Sequence, residues 1–219
     1  TNTSQAPVLD SIRARSVKEG SNLTFKVHAT DADGTTPTLS VVNNPLNSVF
    51  VDSGNGAGSF NFSPNFTQSG IYNVTFKASD GSLVDSEIVT ITVIDTNLAP
   101  VLDSIGSKTV VEGANLTFRV HATDQDGTFP VLSVINNPVN SSLVDSGNGA
   151  GSFSFIPSFI QVGIYNITFK ASDGTLSDSE IVQITVTEAG NQAPILNPIG
   201  PKIVLEGDSL VFTVSASDP

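Results

Sequence analysis

The stretch from Asn22 to Gly34, "NLTFKVHATDADG", combines a strand pattern with a turn pattern. Every second residue from Leu23 to Ala29 is apolar, and the residues between them are polar. Alternation of this kind predicts a β-strand with one buried face. The closing Asp-Ala-Asp-Gly is typical of a tight turn, because aspartate side chains accept backbone N–H groups and glycine tolerates a positive φ. The stretch therefore predicts a half-buried strand that ends in an acidic turn.

The same unit returns as "NLTFRVHATDQDG" at residues 115–127, which is 93 residues later. The stretch "GIYNVTFKASDG" at residues 70–81 returns with one change at residues 163–174, at the same spacing. A third copy of the module start, "APIL", begins at residue 193. Self-similarity at a fixed period indicates tandem modules.

We predict one module over residues 1–97, a second over residues 98–190, and the first two strands of a third over residues 191–219. Within a module, alternating segments are separated by turn residues at intervals of about ten residues, and no segment has a helical pattern. This pattern predicts an all-β fold. Each full module is expected to be an immunoglobulin-like sandwich of seven antiparallel strands, and the modules to form an elongated array.

The fragment over residues 191–219 leaves one apolar strand face without partner strands. Leu210, Phe212, Val214 and Ala216 repeat the inward face of the second strand. Leaving the larger of these side chains in water costs about 1.5–3 kcal/mol each. We therefore expect the natural chain to continue beyond Pro219, or a neighbouring subunit to supply the missing strands.

Composition narrows the classes of partner. The chain has 219 residues, with 21 acidic and 9 basic side chains and a net charge of −12. Nucleic-acid backbones and anionic membranes repel such a chain, and its natural small partners are cations. No apolar run approaches the roughly 18 residues of a membrane-spanning helix, so we expect no membrane insertion. The absence of cysteine excludes disulfides and thiolate metal sites.

Alternating strand directions place the acidic turns at the ends of the modules. The Asp-x-Asp-Gly turn falls at the upper end, and the Glu-Gly turn and the following linker fall at the lower end. The junction of the first two modules thus collects six oxygen-bearing side chains: Glu19, Asp95, Asn97, Asp124, Asp126 and Asp173. Calcium prefers six to eight oxygen ligands in tolerant geometry, so we predict a calcium site at this junction.

The second junction has a weaker set of oxygen-bearing side chains, which consists of Glu112, Glu188, Asn191 and Asp218. We expect one or two ions at a junction rather than a full cluster. The alternative is that Asp-x-Asp-Gly only forms a turn that its own side chains stabilise.

These motifs resemble cadherin repeats. They are "V-x-E-G", "A-T-D-x-D-G", and "A-S-D-G" followed by "L-x-D-S-E-x-V-x-I-x-V-x-D-x-N". The chain is similar over essentially its whole length to the cadherin-like and dystroglycan-type immunoglobulin-like repeats of microbial surface and secreted proteins. The resemblance implies calcium between modules, bound by the same six side chains. The chain departs from cadherins ahead of the sixth strand, where it has "FTQSG" in place of an acidic pair.

No group of side chains suggests catalysis, so we predict that the segment is not an enzyme. His28 and His121 point outward, and neither is placed to activate a nucleophile. The glycine-rich Ser53–Gly58 precedes a strand, whereas a phosphate-binding loop requires a following helix. Tyr72 and Tyr165 stand near the start of the sixth strand, where they either form a tyrosine corner or fill the core.

Asn-x-Ser/Thr sequons are more frequent than the roughly four that composition predicts by chance. The glycosylation candidates are Asn2, Asn22, Asn61, Asn65, Asn73, Asn115, Asn140 and Asn166. The alternative is that asparagine and threonine are simply common in exposed strands.

Together these features predict a structural spacer in an extracellular, cell-surface protein such as a stalk, fibre or sheath, with junctions stiffened by calcium. Its expected partners are neighbouring modules of the same chain, with self-association into a fibre or surface lattice. The alternatives are an adhesin that binds a cell-surface partner and a carbohydrate-binding accessory module of a secreted enzyme. The absence of tryptophan disfavours the accessory module, because sugar-binding faces use exposed aromatic rings.

Overall fold

The computed structural model describes residues 4–190 and 193–217. All elements assigned in those residues are β-strands, which confirms the predicted all-β class. The chain divides into two compact units, residues 1–98 with 125–127 and residues 99–124 with 128–219. Each unit has its own hydrophobic core.

Residues 4–98 contain eight strands in two sheets. They are β1 (Val8–Leu9), β2 (Arg15–Lys18), β3 (Leu23–Thr30), β4 (Thr38–Val42), β5 (Ser48–Asp52), β6 (Ala57–Phe62), β7 (Gly70–Ser79) and β8 (Val84–Ile94). One sheet has the strand order β1-β3-β6-β5, and the other has the order β2-β8-β7-β4. Two sheets of this kind around one core form a β-sandwich.

Residues 99–190 repeat this arrangement strand by strand. The strands are β9 (Val101–Leu102), β10 (Lys108–Val111), β11 (Leu116–Thr123), β12 (Val131–Ile135), β13 (Ser141–Asp145), β14 (Ala150–Phe155), β15 (Gly163–Ser172) and β16 (Ser177–Thr187). The sheet orders are β13-β14-β11-β9 and β10-β16-β15-β12.

The predicted first strand is divided in two, so each sandwich has eight strands rather than seven. β1 pairs antiparallel with β3, whereas β2 pairs parallel with β8 in the other sheet. Backbone N–H groups at this crossing lack a partner in either ladder. Asp85 accepts the N–H of Leu9 at 2.8 Å, and Glu87 accepts the N–H of Ile12 at 2.8 Å. These two carboxylates satisfy the backbone where it changes sheets, as buried N–H groups require.

The alternation in the opening stretch is confirmed by the burial of its side chains. Val27 and Ala29 are buried, while His28 between them is exposed. The cores are centred on fully buried phenylalanines, which are Phe60, Phe62 and Phe76 in the first sandwich and Phe153, Phe155 and Phe169 in the second. The rings of Phe60 and Phe76 meet edge to face, with centroids 5.4 Å apart, an arrangement that aromatic pairs prefer.

The two tyrosines form tyrosine corners. The hydroxyl of Tyr72 donates to the carbonyl oxygen of Gln68 at 2.9 Å, and that of Tyr165 donates to the carbonyl oxygen of Gln161 at 2.9 Å. Each ring also packs against its core. A hydroxyl that bonds back to the backbone a few residues upstream defines this motif in immunoglobulin-like sandwiches.

Replacement of Tyr72 by phenylalanine is expected to lower the free energy of unfolding of the first sandwich by about 1 kcal/mol, because it keeps the ring and removes only the hydrogen bond. Native-state hydrogen exchange of the β7 amides measures this loss. Tyr165→Phe is the matched control, since it should affect β15 and leave β7 unchanged. A Tyr72→Phe protein with wild-type protection in β7 would contradict the corner role.

The start of the third module contains one short strand pair, in which β17 (Ile195–Leu196) pairs antiparallel with β18 (Ala216–Ser217). The inward strand predicted from Leu210 onward is formed only at its end. Leu210, Phe212 and Val214 are 46%, 44% and 51% exposed. Residues 193–217 include no counterpart of β6, the strand that would pair with it, and therefore cannot bury this apolar face.

Candidate functional site

Each sandwich contains one buried glutamate at the turn after its second strand. Glu19 is 3% exposed and Glu112 is 6% exposed, and they are the two buried polar side chains of the described residues. The Oε2 of Glu19 accepts the N–H of Thr96 at 3.2 Å, and the Oε1 of Glu112 accepts the N–H of Ala189 at 3.0 Å. Each glutamate thus anchors the segment that follows the last strand of its own sandwich.

The second carboxylate oxygen of each glutamate is buried and has no hydrogen-bond partner among the described residues. These atoms are Oε1 of Glu19 and Oε2 of Glu112. A buried polar atom without a partner costs about 1–3 kcal/mol, and more if it is charged. An oxygen in this state is suited to bind a hard cation, which compensates the buried charge.

The remaining members of the predicted site lie in loops at strand ends. Asp95 and Asn97 are exposed and flank Thr96, the residue that Glu19 anchors. Glu188 is exposed directly after β16. Asn191 and Asp218 of the second predicted set lie outside the described residues.

The aspartates of the acidic turns accept backbone and hydroxyl groups close by. Asp126 accepts the N–H of Leu98 at 2.6 Å, and Asp124 accepts the hydroxyl of Thr128 at 2.9 Å. Asp173 accepts two backbone N–H groups of its own turn, both at 2.6 Å. In the first sandwich, Asp33 likewise accepts the N–H of Gln5 at 2.6 Å. Turn stabilisation, the alternative to metal binding, therefore accounts for part of what these side chains do.

Asp80, the counterpart of Asp173, has a lowered pKa because the backbone N–H groups of Leu83 and Ser82 donate to its carboxylate. Stabilisation from a depressed pKa is fully present above the unfolded-state pKa and is lost as pH falls through the folded-state pKa. Asp80 therefore supports its turn throughout the neutral range.

A preformed multidentate metal site is not seen in the described part of the chain. No group of three or more His, Asp or Glu side chains there lies close enough together to hold a metal ion. Calcium binding at Glu19 would therefore rely on backbone carbonyls, amide oxygens and water for most of its ligands, which calcium accepts.

The roles of two groups of side chains, the inward carboxylates of the last strands and the histidines, were not predicted from the sequence. Asp85 and Glu87 hold the crossing backbone, as do Asp178 and Glu180 in the second sandwich. The alternation of β8 could have indicated this role, because Asp85 and Glu87 occupy the same alternate positions as the buried Val89 and therefore face inward.

His28 was interpreted only as a surface residue, but its Nδ1 lies 2.9 Å from Oδ2 of Asp10, and His121 pairs with Asp103 at 2.8 Å. The first pair joins β3 to the residue that follows β1, and the second pair joins β11 to the residue that follows β9.

All seven sequon asparagines in the described residues are exposed. Asn2, the eighth, lies outside them. Asn73 and Asn166 lie in the middle of the long strands β7 and β15, whereas Asn65 accepts both the N–H and the hydroxyl of Thr67 within a loop. Exposure permits a glycan at each position, and glycosylation stays a prediction.

The paired four-stranded sheets, the split first strand and the tyrosine corners define an immunoglobulin-like sandwich, present twice in tandem. The described residues contain no helix of the length and apolarity that crossing a membrane requires. The sequence profile of the family described as "Bacterial Ig domain" matches residues 4–92 and again residues 97–187. The chain belongs to this family of bacterial immunoglobulin-like domains.

Two curated proteins are similar to the chain. Chitinase A of Pseudoalteromonas piscicida is 27% identical over 152 residues, which cover 68% of this chain and 18% of the chitinase. Integrin beta-like protein A of Dictyostelium discoideum is 28% identical over 241 aligned positions, covering 92% of this chain and 12% of that protein. The chain therefore spans less than a fifth of the length of either relative.

Among solved structures, the titin domains Z1Z2 in complex with telethonin are similar, with a TM-score of 0.48 and 16% identity. The match covers 86% of this chain and all of that one. An endo-fucoidan hydrolase of glycoside hydrolase family 107 matches 84% of this chain and 29% of its own length, with a TM-score of 0.43 and 19% identity.

Proposed function

We propose that this chain is a non-catalytic spacer segment of an extracellular tandem-repeat protein, a component of a stalk, fibre or sheath. The observation that carries the proposal is the pair of complete, closely similar sandwiches in one chain. Their ionisable side chains accept backbone N–H groups instead of converging on a reactive centre. The family of the chain and its similarity to a small part of a chitinase support a secreted or surface location.

The second part of the proposal is that calcium binds the buried glutamate of each sandwich. The support is that one oxygen of Glu19, and one of Glu112, is buried without a partner among the described residues. A calcium ion on that oxygen would compensate its charge. Asp95 and Asn97 flank Thr96, whose N–H group Glu19 accepts, and Glu188 precedes Ala189, whose N–H group Glu112 accepts, so these side chains are the oxygen-bearing neighbours in sequence.

Calcium is expected to raise the melting temperature of the wild-type chain and to lose this effect in Glu19→Gln with Glu112→Gln. A ligand that binds only the folded state stabilises it by about 2.7 kcal/mol at 100 times its dissociation constant. Without calcium, the same two substitutions should be neutral or stabilising, because they replace a buried charge by a neutral amide. The measurement is thermal unfolding in excess chelator and in millimolar calcium.

The glutamine substitutions should therefore lower the melting temperature in calcium but not in chelator, and this difference separates a ligand role of the glutamates from a structural one. Asp85→Asn with Asp178→Asn is the matched control, because these carboxylates hold backbone N–H groups and should matter equally with and without calcium. A wild-type melting temperature that is the same in chelator and in calcium would contradict the calcium proposal. It would leave the spacer proposal standing.

A second candidate function is an accessory module of a secreted polysaccharide-degrading enzyme, and the similarity to the chitinase favours it. Such a module needs an exposed aromatic platform. In the two described sandwiches the large exposed aromatic side chains are Phe129 and Phe159, at 69% and 41%, and both lie in loops. Binding of the chain to insoluble chitin, abolished by Phe129→Ala, would support this candidate over the spacer.

A further inference from the structure

The outer face of the sheet β2-β8-β7-β4 contains no carboxylate within the described strands. This outer face is formed by every second residue from Ile71 to Ser79 in β7 and from Val84 to Ile94 in β8, with the outward residues of β2 and β4. Its charged residues are Lys18 and Lys77. All other positions are isoleucine, valine, threonine, serine or asparagine.

Cross-strand rows make this face regular. Val42, Thr75 and Ile88 are direct neighbours across β4, β7 and β8. Ile71 pairs with Thr92, so a second row of the same chemistry crosses the face near the start of β7. Ile71 and Ile88 are 70% and 68% exposed.

The second sandwich has the same outer face at equivalent positions. Ile135, Thr168 and Ile181 form one row, and Ile164 pairs with Thr185 in another. Ile164 and Ile181 are 63% and 70% exposed, and Lys170 is the one charged residue among the outward positions of these described strands. Both modules therefore present a sheet face that has few charged residues and no carboxylate within the described strands.

The neutrality of these faces contrasts with a net charge of −12. The carboxylates lie elsewhere. Asp85 and Glu87 of β8 turn inward to backbone N–H groups, and Asp80 and Asp95 lie in loops beyond the strand ends. Two copies of the chain repel each other through their loops, but no carboxylate opposes contact between outer faces.

We propose that the outer face of each sandwich packs against the same face of a second copy of the chain, which joins copies side by side. The inference rests on the proposed spacer function and identifies the partner as the protein itself. Sheets pack face to face at about 10 Å when apolar and small polar side chains interdigitate. The isoleucine and threonine rows provide such apolar and small polar side chains. Repulsion between like charges across the contact is limited to the lysines.

The size of the face sets the strength of the contact. Four strands of the observed lengths, at about 3.3 Å per residue and 4.8 Å between strands, give an outer face of roughly 500 Å². A pair of faces then buries about 1,000 Å², which is at the lower limit for a specific interface. Association through one module is therefore weak, and a chain with several modules gains strength through multivalency.

A second copy fits the face better than the other occupants. A polysaccharide would need exposed aromatic rings, and the outer face has none among its described residues. A glycan on Asn73 or Asn166 would occupy the middle of the face. The inference therefore requires these two asparagines to be unmodified in the native protein.

The test is sedimentation equilibrium of the full chain from micromolar to millimolar concentration, in chelator and in calcium. The weight-average mass should rise above 22.7 kDa with concentration in both buffers. Ile88→Lys with Ile181→Lys should weaken the association by about tenfold or more, because lysines would then face each other across the contact. The matched control is Leu46→Lys with Val139→Lys, which changes aliphatic residues that are 77% and 78% exposed in loops and should associate as the wild type does.

A wild-type chain that stays at 22.7 kDa throughout would overturn the inference, as would equal loss of association in the control variant. Sugar on Asn73 or Asn166 of protein from its own source, detected by peptide mass spectrometry, would also overturn it. A monomeric wild type that co-sediments with chitin and loses this binding in the Ile88 and Ile181 variant would assign the face to a polysaccharide instead. Association in chelator separates this test from the calcium proposal.

Discussion

Replacement of Phe76 by alanine is expected to destabilise the first sandwich by about 3–5 kcal/mol, the largest effect of any single substitution proposed for this chain. Phe76 is fully buried, and its ring contacts those of Phe25, Phe50 and Phe60. Its removal loses the transfer free energy of the ring and leaves a cavity that strands fixed in two sheets cannot close. Urea unfolding should show the first sandwich unfolding at a much lower concentration than the second.

Two further variants serve as controls for this result, one in the second sandwich and one at an exposed position of the same strand. Phe169→Ala should produce the same loss in the second sandwich, because Phe169 is its fully buried counterpart. Ile71→Ala lies on the same strand as Phe76 but is 70% exposed, so it should change the free energy of unfolding by less than about 0.5 kcal/mol at concentrations where the chain is monomeric. Equal effects of Phe76→Ala and Ile71→Ala would contradict the assignment of the core.

The second large effect is expected for Gly56→Ala in the "SGNGAG" turn. Gly56 has a φ of 74°, and a Cβ built on it would lie 2.7 Å from the carbonyl oxygen of Ala29. The N–H of Ala29 also donates to the carbonyl oxygen of Gly56 at 2.8 Å, so the two backbones cannot separate without losing that bond. Left-handed strain costs about 1–2 kcal/mol for a non-glycine residue, and the clash adds to it. We expect a total loss of about 3 kcal/mol or more.

Gly54→Ala is the matched control for this substitution. Gly54 has nearly the same φ, 72°, but nothing lies within 4 Å of its added Cβ. It should therefore show the backbone strain alone, and the difference between the two variants measures the clash. Equal losses in Gly54→Ala and Gly56→Ala, measured by urea unfolding, would show that the turn relaxes and that the close approach to Ala29 does not matter.

Much of the fold could be predicted because its signals are local or repeated. The alternation from Leu23 to Ala29 depends only on the two-residue period of a strand, and the structure buries Val27 and Ala29 as expected. The repeat of 93 residues requires no structure to detect, and the family profile matches the chain twice, in agreement with it. The placement of the acidic turns at the module ends was obtained by counting strands that reverse direction, and the metal site built on it stays a prediction.

The roles of individual polar side chains depended on the tertiary structure, because their partners are distant in sequence. Asp85 and the backbone of Leu9 are 76 residues apart, and Glu19 and the backbone of Thr96 are 77 residues apart. No local sequence pattern predicts that the first strand divides between two sheets, or that carboxylates accept the N–H groups left unpaired at the division. The division of the first strand and the corner role of the tyrosines likewise depend on contacts that only the tertiary structure brings together.

The sequence by itself determined that the chain is all-β, that its module repeats, and that the apolar residues alternating from Leu23 and from Tyr72 face the core, since period-two patterning and self-similarity are properties of neighbouring or duplicated residues. Only the tertiary structure decided that Glu19 and Glu112 are buried with one oxygen unpartnered among the described residues, and that Asp85 and Glu87 accept N–H groups of the divided first strand. Burial is set by what the rest of the chain places around a residue. A glutamate beside a glycine turn is ordinarily exposed, whereas Glu19 and Glu112 are buried and accept the N–H groups of Thr96 and Ala189, which follow β8 and β16.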